Sequence, residues 1–430
     1  MSRILVIGAT GLIGAHIAAS LCAAGHEVTG MARHVGSAAR RMPAIDWEAV
    51  DLARASARDW SRHLAGIEAV VNCAGALQSG PADDLTGTHE RGLKVLVAAC
   101  ETAGVRRFVH FSAMGVDRMT PTEFSRSKLV GDEALMVSCL DWVILRPSVV
   151  LGPAAYGASA LVRGLAALPI VPVMPDTAPL QPVALEDVVA TVAFFVKPEA
   201  PTRLALELAG PDRLAFIELV RLYRRWLGHP PAREIVLPGG LADLLYRLGD
   251  LAGVLGWRPP VRSTARREIA RGAVGDPTEW TRITDIVPRS IAVMLNARPA
   301  SVQEGWFAGL YLLKPLVLVS LAIFWVGSGL ASLGPGYESG IAMLQQGGAG
   351  AIAPLSVIGG GLADLLVGLA IAIRRTARPA LLAGIAVALF YALAGSFFTP
   401  WLWFDPLAPL LKIAPVIALH LTALATLRDR

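Results

Sequence analysis

Between residues 307 and 427 only eight side chains carry a charge: Lys314, Glu338, Asp364, Arg374, Arg375, Arg378, Asp405 and Lys412. A stretch that poor in charge cannot cover a water-facing surface. In lipid, where every backbone polar group must be satisfied internally, only helices and closed barrels remain open to it. Four apolar runs fill the stretch: Pro315–Leu333, Ile352–Ile373, Pro379–Phe398 and Leu407–Leu427. Each is long enough, as a helix, for a hydrocarbon core of roughly 30 Å. Residues 307–430 are therefore expected to form a four-helix transmembrane domain. Its glycines at 327, 329 and 359–361 would mark close helix packing.

Charge also orients this segment. Arg374, Arg375 and Arg378 stand between the second and third runs, and Arg428 and Arg430 follow the fourth. The other two connections carry only Glu338 and Asp405. The positive-inside rule places the arginine turn and both termini in the cytoplasm, with the chain multi-pass in the inner membrane. Trp401 and Trp403 fit one interface and Trp306 the other. Lys314 and Lys412 lie near run ends and can snorkel. Asp364 and His420 fall at similar depth and are expected to pair inside the bundle, an intramembrane carboxylate being a functional candidate by default.

The first 306 residues are of a different kind, with 32 basic and 30 acidic side chains. That balance gives no electrostatic footprint for nucleic acid, and no such partner is expected. With 54% hydrophobic residues over the whole chain, disorder is excluded. The four cysteines, Cys22, Cys73, Cys100 and Cys139, lie far apart without a C-x-x-C pair, which argues against a disulfide scaffold or a metal site. The start, one arginine before an apolar run, imitates a secretory signal, but glycines at 8, 11 and 14 interrupt it.

Those glycines have a better explanation. Arg3–Ile7 reads as a buried strand, Gly8-Ala9-Thr10-Gly11-Leu12-Ile13-Gly14 as a turn, Ala15–Ala24 as a helix and Glu27–Arg33 as a second strand. This is the context a dinucleotide fingerprint requires. Glycine permits the tight turn and close backbone approach to a pyrophosphate, and the helix N-terminus offers amides to the phosphates. Further apolar runs at Glu68–Cys73, Arg107–Ser112 and Trp142–Arg146 alternate with helical stretches at Gly92–Ala103 and Ser125–Met136. Alternation of this kind implies an α/β fold with a doubly wound parallel sheet.

The ordered motifs GATGLIG, Asp51-Leu52, Asn72-Cys73-Ala74-Gly75, Phe111-Ser112-Ala113, Ser127-Lys128 and Arg146-Pro147-Ser148 resemble an atypical short-chain dehydrogenase/reductase. Leu180-Gln181-Pro182-Val183 and Glu186-Asp187-Val188 fit the same pattern. The kind includes the peripheral NADPH-binding subunit of respiratory complex I, and the resemblance spans roughly residues 1–300. It implies a Rossmann-type domain over 1–255, with its substrate-side subdomain, before a basic amphipathic linker over 256–306. It further implies that Gly8, Thr10, Gly11, Leu12, Ile13 and Gly14 line the pyrophosphate and that Asp51 and Leu52 sit at the adenine. Ala74 and Gly75 would pass beside the cofactor, Ser112 would polarise a substrate oxygen, and Lys128 would bond the nicotinamide ribose. Asn72 is equally well read as a turn residue.

Cofactor choice is argued from charge. The second strand ends Met31-Ala32-Arg33-His34, with no carboxylate for a ribose 2′-hydroxyl but with a guanidinium suited to a 2′-phosphate. NADPH is expected over NADH. The resemblance departs at one point: where the family carries Tyr-x-x-x-Lys, this chain has Phe124-Ser125-Arg126-Ser127-Lys128. Phenylalanine has no proton to give, so the usual acid/base step is missing at that position. Another group relays the proton, the reaction needs no tyrosine, or the domain binds cofactor without turnover. Tyr156 and His110 are the nearby alternatives, each also readable as a packing residue.

The tryptophan-led first run and glycine-rich second run resemble the DoxX-like membrane domain, which implies a four-helix module associated with redox proteins or quinone chemistry. Two readings follow. One is an NAD(P)H-dependent oxidoreductase acting on a small apolar substrate from the lipid bilayer, such as a quinone or lipid-like carbonyl compound. The other is a non-catalytic NADPH-binding scaffold or sensor. Arg258, Arg262, Arg266, Arg267 and Arg271 form a basic stretch suited either to anionic lipid or to a solvated face.

Overall fold

The computed structural model describes residues 1–81 and 83–427. They form two compact units: Met1–Asp250 with Pro259–Gly305, and Leu251–Arg258 with the chain from Trp306 onward.

The first unit is built on seven strands: β1 (Arg3–Ile7), β2 (Glu27–Ala32), β3 (Asp46–Ala49), β4 (Ala69–Asn72), β5 (Arg107–Phe111), β6 (Asp141–Pro147) and β7 (Leu204–Leu208). All pair in parallel, in the order β7-β6-β5-β4-β1-β2-β3. Strand order reverses between β1 and β4, and a doubly wound sheet opens its ligand crevice at the carboxyl ends there.

Burial on both faces explains the near-continuous apolar runs. Ile4, Val6, Val71, Val109 and Leu145 face α1 (Leu12–Ala23), through Ile17, Ala18 and Leu21. Their alternates Leu5, Ile7, Val70, Phe108 and Ile144 face α2 (Gly92–Ala103), through Leu93, Leu96 and Cys100. Beside α2 runs α3 (Glu123–Met136), while α4 (Leu185–Phe195) packs with α1. The expected strands and helices stand within a few residues of their predicted bounds. Edge strand β3, with the sequence DWEA, and β7, with LALEL, carry no continuous apolar run and were not expected.

Residues 256–306, expected to form a linker, divide between the two units. Beyond α5 (Gly239–Val254) and α6 (Ser263–Arg271), Trp280 is fully buried in the first unit and its indole N–H donates to Thr191 Oγ1 at 2.9 Å. Arg262 pairs with Asp250, Arg266 with Asp243 and Arg271 with Glu268, so these arginines of the basic stretch hold protein carboxylates. Two of those partners come from α5, which a local charge count does not reveal.

The chain then runs through α7 (Val302–Leu333), all but its first four residues in the second unit, and through α8 (Tyr337–Gln346), α9 (Ala353–Ala372), α10 (Ala377–Phe398) and α11 (Ile413–Thr426). Among the described residues three helices are long and apolar enough to cross a membrane: α7, α9 and α10. The fourth expected run, Leu407–Leu427, yields only the 14 residues of α11, about 21 Å at 1.5 Å per residue. Pro406 and Pro409 lie in the non-helical stretch before it, where each ring removes a backbone donor and disfavours helical geometry at the preceding residue. The end of α11 reaches the arginine turn, where Arg374 Nη2 donates to the Leu427 carbonyl at 3.2 Å. Arg428 and Arg430 lie outside the described residues.

Close packing rests on Gly329, Gly361 and Gly368: a Cβ on Gly329 would stand 2.6 Å from the Gly361 carbonyl oxygen, and one on Gly368 2.8 Å from the Val326 nitrogen. Gly327 and Gly359, also expected at helix contacts, face open space.

Leu96 is fully buried between α2 and the sheet. Leu96→Ala is expected to destabilise the first unit by about 2–5 kcal/mol, the usual cost of such a cavity. Urea unfolding followed by tryptophan fluorescence checks this, and a loss under about 1 kcal/mol would contradict the packing described.

Candidate nucleotide-binding and active site

The turn after β1 is a backbone cradle. Gly8 has φ of +77°, and its N–H donates to the Met31 carbonyl at 2.8 Å. A Cβ on Gly8 would lie 2.8 Å from the Ala74 nitrogen, and one on Gly14 only 2.4 Å from the Gly8 oxygen. Any larger residue would therefore push the turn off the end of β4 or α1 off the turn. Gly11 caps α1 without a side-chain hydrogen bond, so the first-turn amides of Leu12, Ile13 and Gly14 are presented without a competing side chain. A cradle of this shape, at a helix N-terminus and a strand-order reversal, fits a dinucleotide diphosphate.

The other expected positions gather at the same edge of the sheet. Thr10 is in the turn itself, and Arg33 directly follows β2, where its guanidinium pairs with Asp83 at 2.8 Å. Asp51 and Leu52 follow β3, and the Asp51 carboxylate accepts from the Ala53 N–H at 3.1 Å. Ala74 and Gly75 follow β4, with the Ala74 N–H donating to Asn72 Oδ1 at 3.1 Å. Asn72 thus serves the turn, and it also bonds the His110 ring across the strands.

Side-chain alternation then assembles a buried polar cluster. Asn72, His110, Ser112 and Arg146 share the α2/α3 face of the sheet, and one helical turn places Lys128 and Asp132 together on α3. Ser112 Oγ donates to Asp132 Oδ2 at 2.8 Å, and Arg146 donates to the same oxygen through Nε and Nη2 at 3.2 and 3.1 Å. Lys128 Nζ donates to the Phe111 carbonyl at 2.7 Å. His89 accepts from the Ala76 N–H, bonds Ser127 Oγ and meets the Phe124 ring edge-on at 5.8 Å. A Cβ on Gly75 would stand 3.3 Å from both His89 Nε2 and Lys128 Nζ, so these two side chains flank the stretch beside which a nicotinamide ribose would run.

The sequence singled out Ser112 and Lys128 but not His89 and Asp132, which the fold buries in the same cluster. The four-residue spacing of Lys128 and Asp132 on a helix was the available signal for the second; nothing local marks His89. Ser112 commits its proton to Asp132, leaving its lone pairs for a substrate. His110 Nε2 and Asp132 Oδ1, 3.7 Å apart, are both buried without hydrogen bonds. Tyr156 is 39% exposed on the loop after Gly152-Pro153, its backbone held by Ser159.

Burial dominates the electrostatics. It pushes His89 down to about 2 and His110 well below its ordinary range, with the Lys128 charge adding to both, so each imidazole is neutral and unsuited to act as an acid. Burial also raises Asp132, against the opposing pull of Arg146 and Ser112. Lys128 is lowered to about 8 by burial, with Asp132 partly offsetting it.

In the second unit the expected Asp364–His420 pair is not formed. Asp364 accepts from Ser328 Oγ at 2.6 Å and from the Tyr391 hydroxyl at 2.8 Å. His420 Nε2 accepts from the Trp325 indole at 3.0 Å, and its Nδ1 lies 2.8 Å from the Val416 carbonyl. Each group is satisfied by a neighbouring helix before it can reach the other.

Residues 8–164 match the family described as NAD(P)H-binding, and residues 322–421 match the DoxX-like family. The chain thus joins an NAD(P)H-binding, Rossmann-type domain, similar to short-chain dehydrogenases/reductases, to a DoxX-like domain. It is similar to ceramide reductase of Caulobacter vibrioides, 23% identical over 266 residues that make up 59% of this chain and 81% of that one. To sterol demethylase protein B of Methylococcus capsulatus it is 28% identical over 35% of this chain and 52% of that one. To the mitochondrial NADH dehydrogenase [ubiquinone] 1 alpha subcomplex subunit 9 of Arabidopsis thaliana it is 26% identical over 36% of this chain and 39% of that one. The chain thus spans about half of the second relative and less of the third. Among solved structures, the Bordetella bronchiseptica enzyme WbmG in complex with NAD shares the fold, with a TM-score of 0.55 at 17% identity over 72% of this chain and 95% of that one.

The lowered Lys128 pKa has a measurable sign. Below about 8 folding must bury an ammonium, and the cost is fully present. Between about 8 and 10.5 the unfolded chain keeps a proton that the folded one releases, so this group makes stability rise with pH and then level off. Comparing the pH dependence of urea unfolding for the wild type and Lys128→Met should show that rise only in the wild type; parallel curves would contradict the burial.

Proposed function

We propose that the protein is an NAD(P)H-dependent oxidoreductase of the atypical short-chain dehydrogenase type, multi-pass in the inner membrane, that reduces or oxidises a membrane-borne apolar substrate such as a quinone or lipid-like carbonyl compound. The observation that carries this reading is Lys128, buried beside Gly75 with Ser112 close by on the same face of the sheet, at the edge that holds the glycine cradle. A bound nicotinamide would supply or accept hydride. Gly8, Gly11 and Gly14 with the first amides of α1 would hold the diphosphate, and Lys128 would orient the ribose. Ser112 would align a substrate oxygen. Phe124 brings no proton, and the two histidines are held neutral; the Lys128 ammonium, with its lowered pKa, is the proton-bearing group that remains. The names of two relatives, a ceramide reductase and a sterol demethylase protein, support a lipid-like substrate, and so does the covalent link to an apolar helix bundle, which concentrates bilayer-borne molecules.

NADPH is preferred on this reading because Arg33 stands where an NAD site places a carboxylate. The arginine turn at 374–378 and the first unit would face the cytoplasm, since two spans separate them. A second reading has one observation in its favour: Phe124 leaves a cofactor-holding scaffold without turnover, consistent with the similarity to a respiratory-complex subunit.

Purified protein in membranes is expected to oxidise NADPH when a quinone or long-chain ketone is added. Phe124→Tyr is expected to raise that rate toward the 10²–10⁴-fold that a positioned proton donor contributes. No turnover by either protein would favour the scaffold. Titration by nucleotide fluorescence should show NADPH binding about tenfold or more tighter than NADH, and Arg33→Ala should erase the difference. Equal affinities in the wild type would overturn the NADPH assignment.

A further inference from the structure

Helix α5 is amphipathic the wrong way round for a helix in water. Ala242, Tyr246, Gly249 and Gly253 form its buried face, so close to the rest of the chain that a Cβ on Gly249 would overlap the Val261 carbonyl oxygen. Asp243 and Asp250 spend their charge on Arg266 and Arg262, and Arg266 stacks over the Tyr246 ring at 5.5 Å. What remains outward is leucine. Leu241, Leu244, Leu245, Leu248 and Leu251 are each 39–56% exposed, and their i, i+3, i+4, i+7, i+10 spacing gathers them into one stripe, with exposed Arg247 at its border.

The end of the helix says what faces that stripe. Its last turn and the following residues, Leu251–Arg258, belong to the membrane-type unit. There the Arg374 N–H donates to the Leu255 carbonyl at 3.0 Å, the Trp257 indole donates to the Ala372 carbonyl at 2.7 Å, and the Arg374 guanidinium lies over the Trp257 ring at 5.4 Å. Ala372 is the last residue of α9, one of the three candidate spans, and Arg374 opens the arginine turn. Tryptophan and arginine at the end of a span mark headgroup depth. The last residue of the stripe, Leu251, thus belongs to the unit that carries the candidate spans.

We infer that α5 is an in-plane membrane helix, its leucine stripe sunk into the boundary between headgroups and acyl chains and Arg247 reaching for lipid phosphate. The occupant of the stripe is the bilayer, not a second protein. The inference rests on the reading of the second unit as membrane-embedded, so the test carries a control for that reading.

Full-length protein in nanodiscs of phosphatidylcholine and phosphatidylglycerol, with the exposed thiol removed by Cys139→Ser, is labelled with a nitroxide at Leu244→Cys, Leu248→Cys, Val137→Cys or Leu366→Cys. Val137 is an exposed position in the first unit, and Leu366 an exposed position on α9. The ratio of collision with oxygen to collision with a water-soluble nickel chelate is expected to be several-fold higher at 244 and 248 than at 137, and to approach the value at 366. A high ratio at 366 with an aqueous value at 244 and 248 overturns the inference alone. An aqueous value at 366 overturns the membrane reading beneath it. Protection of 244 and 248 from both reagents overturns the bilayer as occupant and assigns the stripe to a protein contact.

Discussion

The first unit depends on one close approach of backbone to backbone. Gly8 sits against the chain leaving β4, and Gly14 sits against Gly8, with no room for a side chain at either place. That contact fixes where α1 begins, and so where its amides point, at the strand-order reversal between β1 and β4. Each position argued to touch a cofactor follows the carboxyl end of a strand, lies in this turn or is carried to that edge by α3. The sheet thus supplies the spacing, and the glycines make it usable.

A second constraint is desolvation. Lys128, Asp132, Arg146, Ser112 and both histidines are each less than a tenth exposed. Buried ionic groups of this kind must be mutually satisfied or they cost several kcal/mol each. Here Asp132 gathers Arg146 and Ser112, while Lys128 leans on the Phe111 carbonyl. The same burial that keeps the histidines neutral leaves the lysine able to release its proton near physiological pH. The phenylalanine at position 124 is therefore less isolated a departure than it looks: it packs against a neutral imidazole, and the remaining titratable cation lies one helical turn further along α3.

The second unit follows a different rule. Its buried Asp364 and His420 find partners on neighbouring helices. Ser328 and Trp325, one turn apart on α7, serve Asp364 and His420 separately, so two residues of similar expected depth end in two distinct hydrogen-bonded sets. Small residues at Gly329, Gly361 and Gly368 bring α7 and α9 close enough for this.

Much of the architecture was legible from residue order alone. The glycine spacing after a Val/Ile-rich strand fixed the turn, the alternation of runs fixed a parallel sheet, and the loss of charge after residue 306 fixed a membrane-type helical unit. These features are local: each depends on steric or solvation preferences of a few consecutive residues. Local reading failed where the deciding neighbour was distant. It did not show that Arg262, Arg266 and Arg271 are matched by carboxylates on α5 and α6, that His89 would stand beside Lys128, or that Asp364 would find Tyr391 before His420. It did not find β3 and β7, which carry no uninterrupted apolar run. Nor did it give proline its full weight in shortening α11. Periodicity says which side of an element is apolar; only the folded chain says what that side meets.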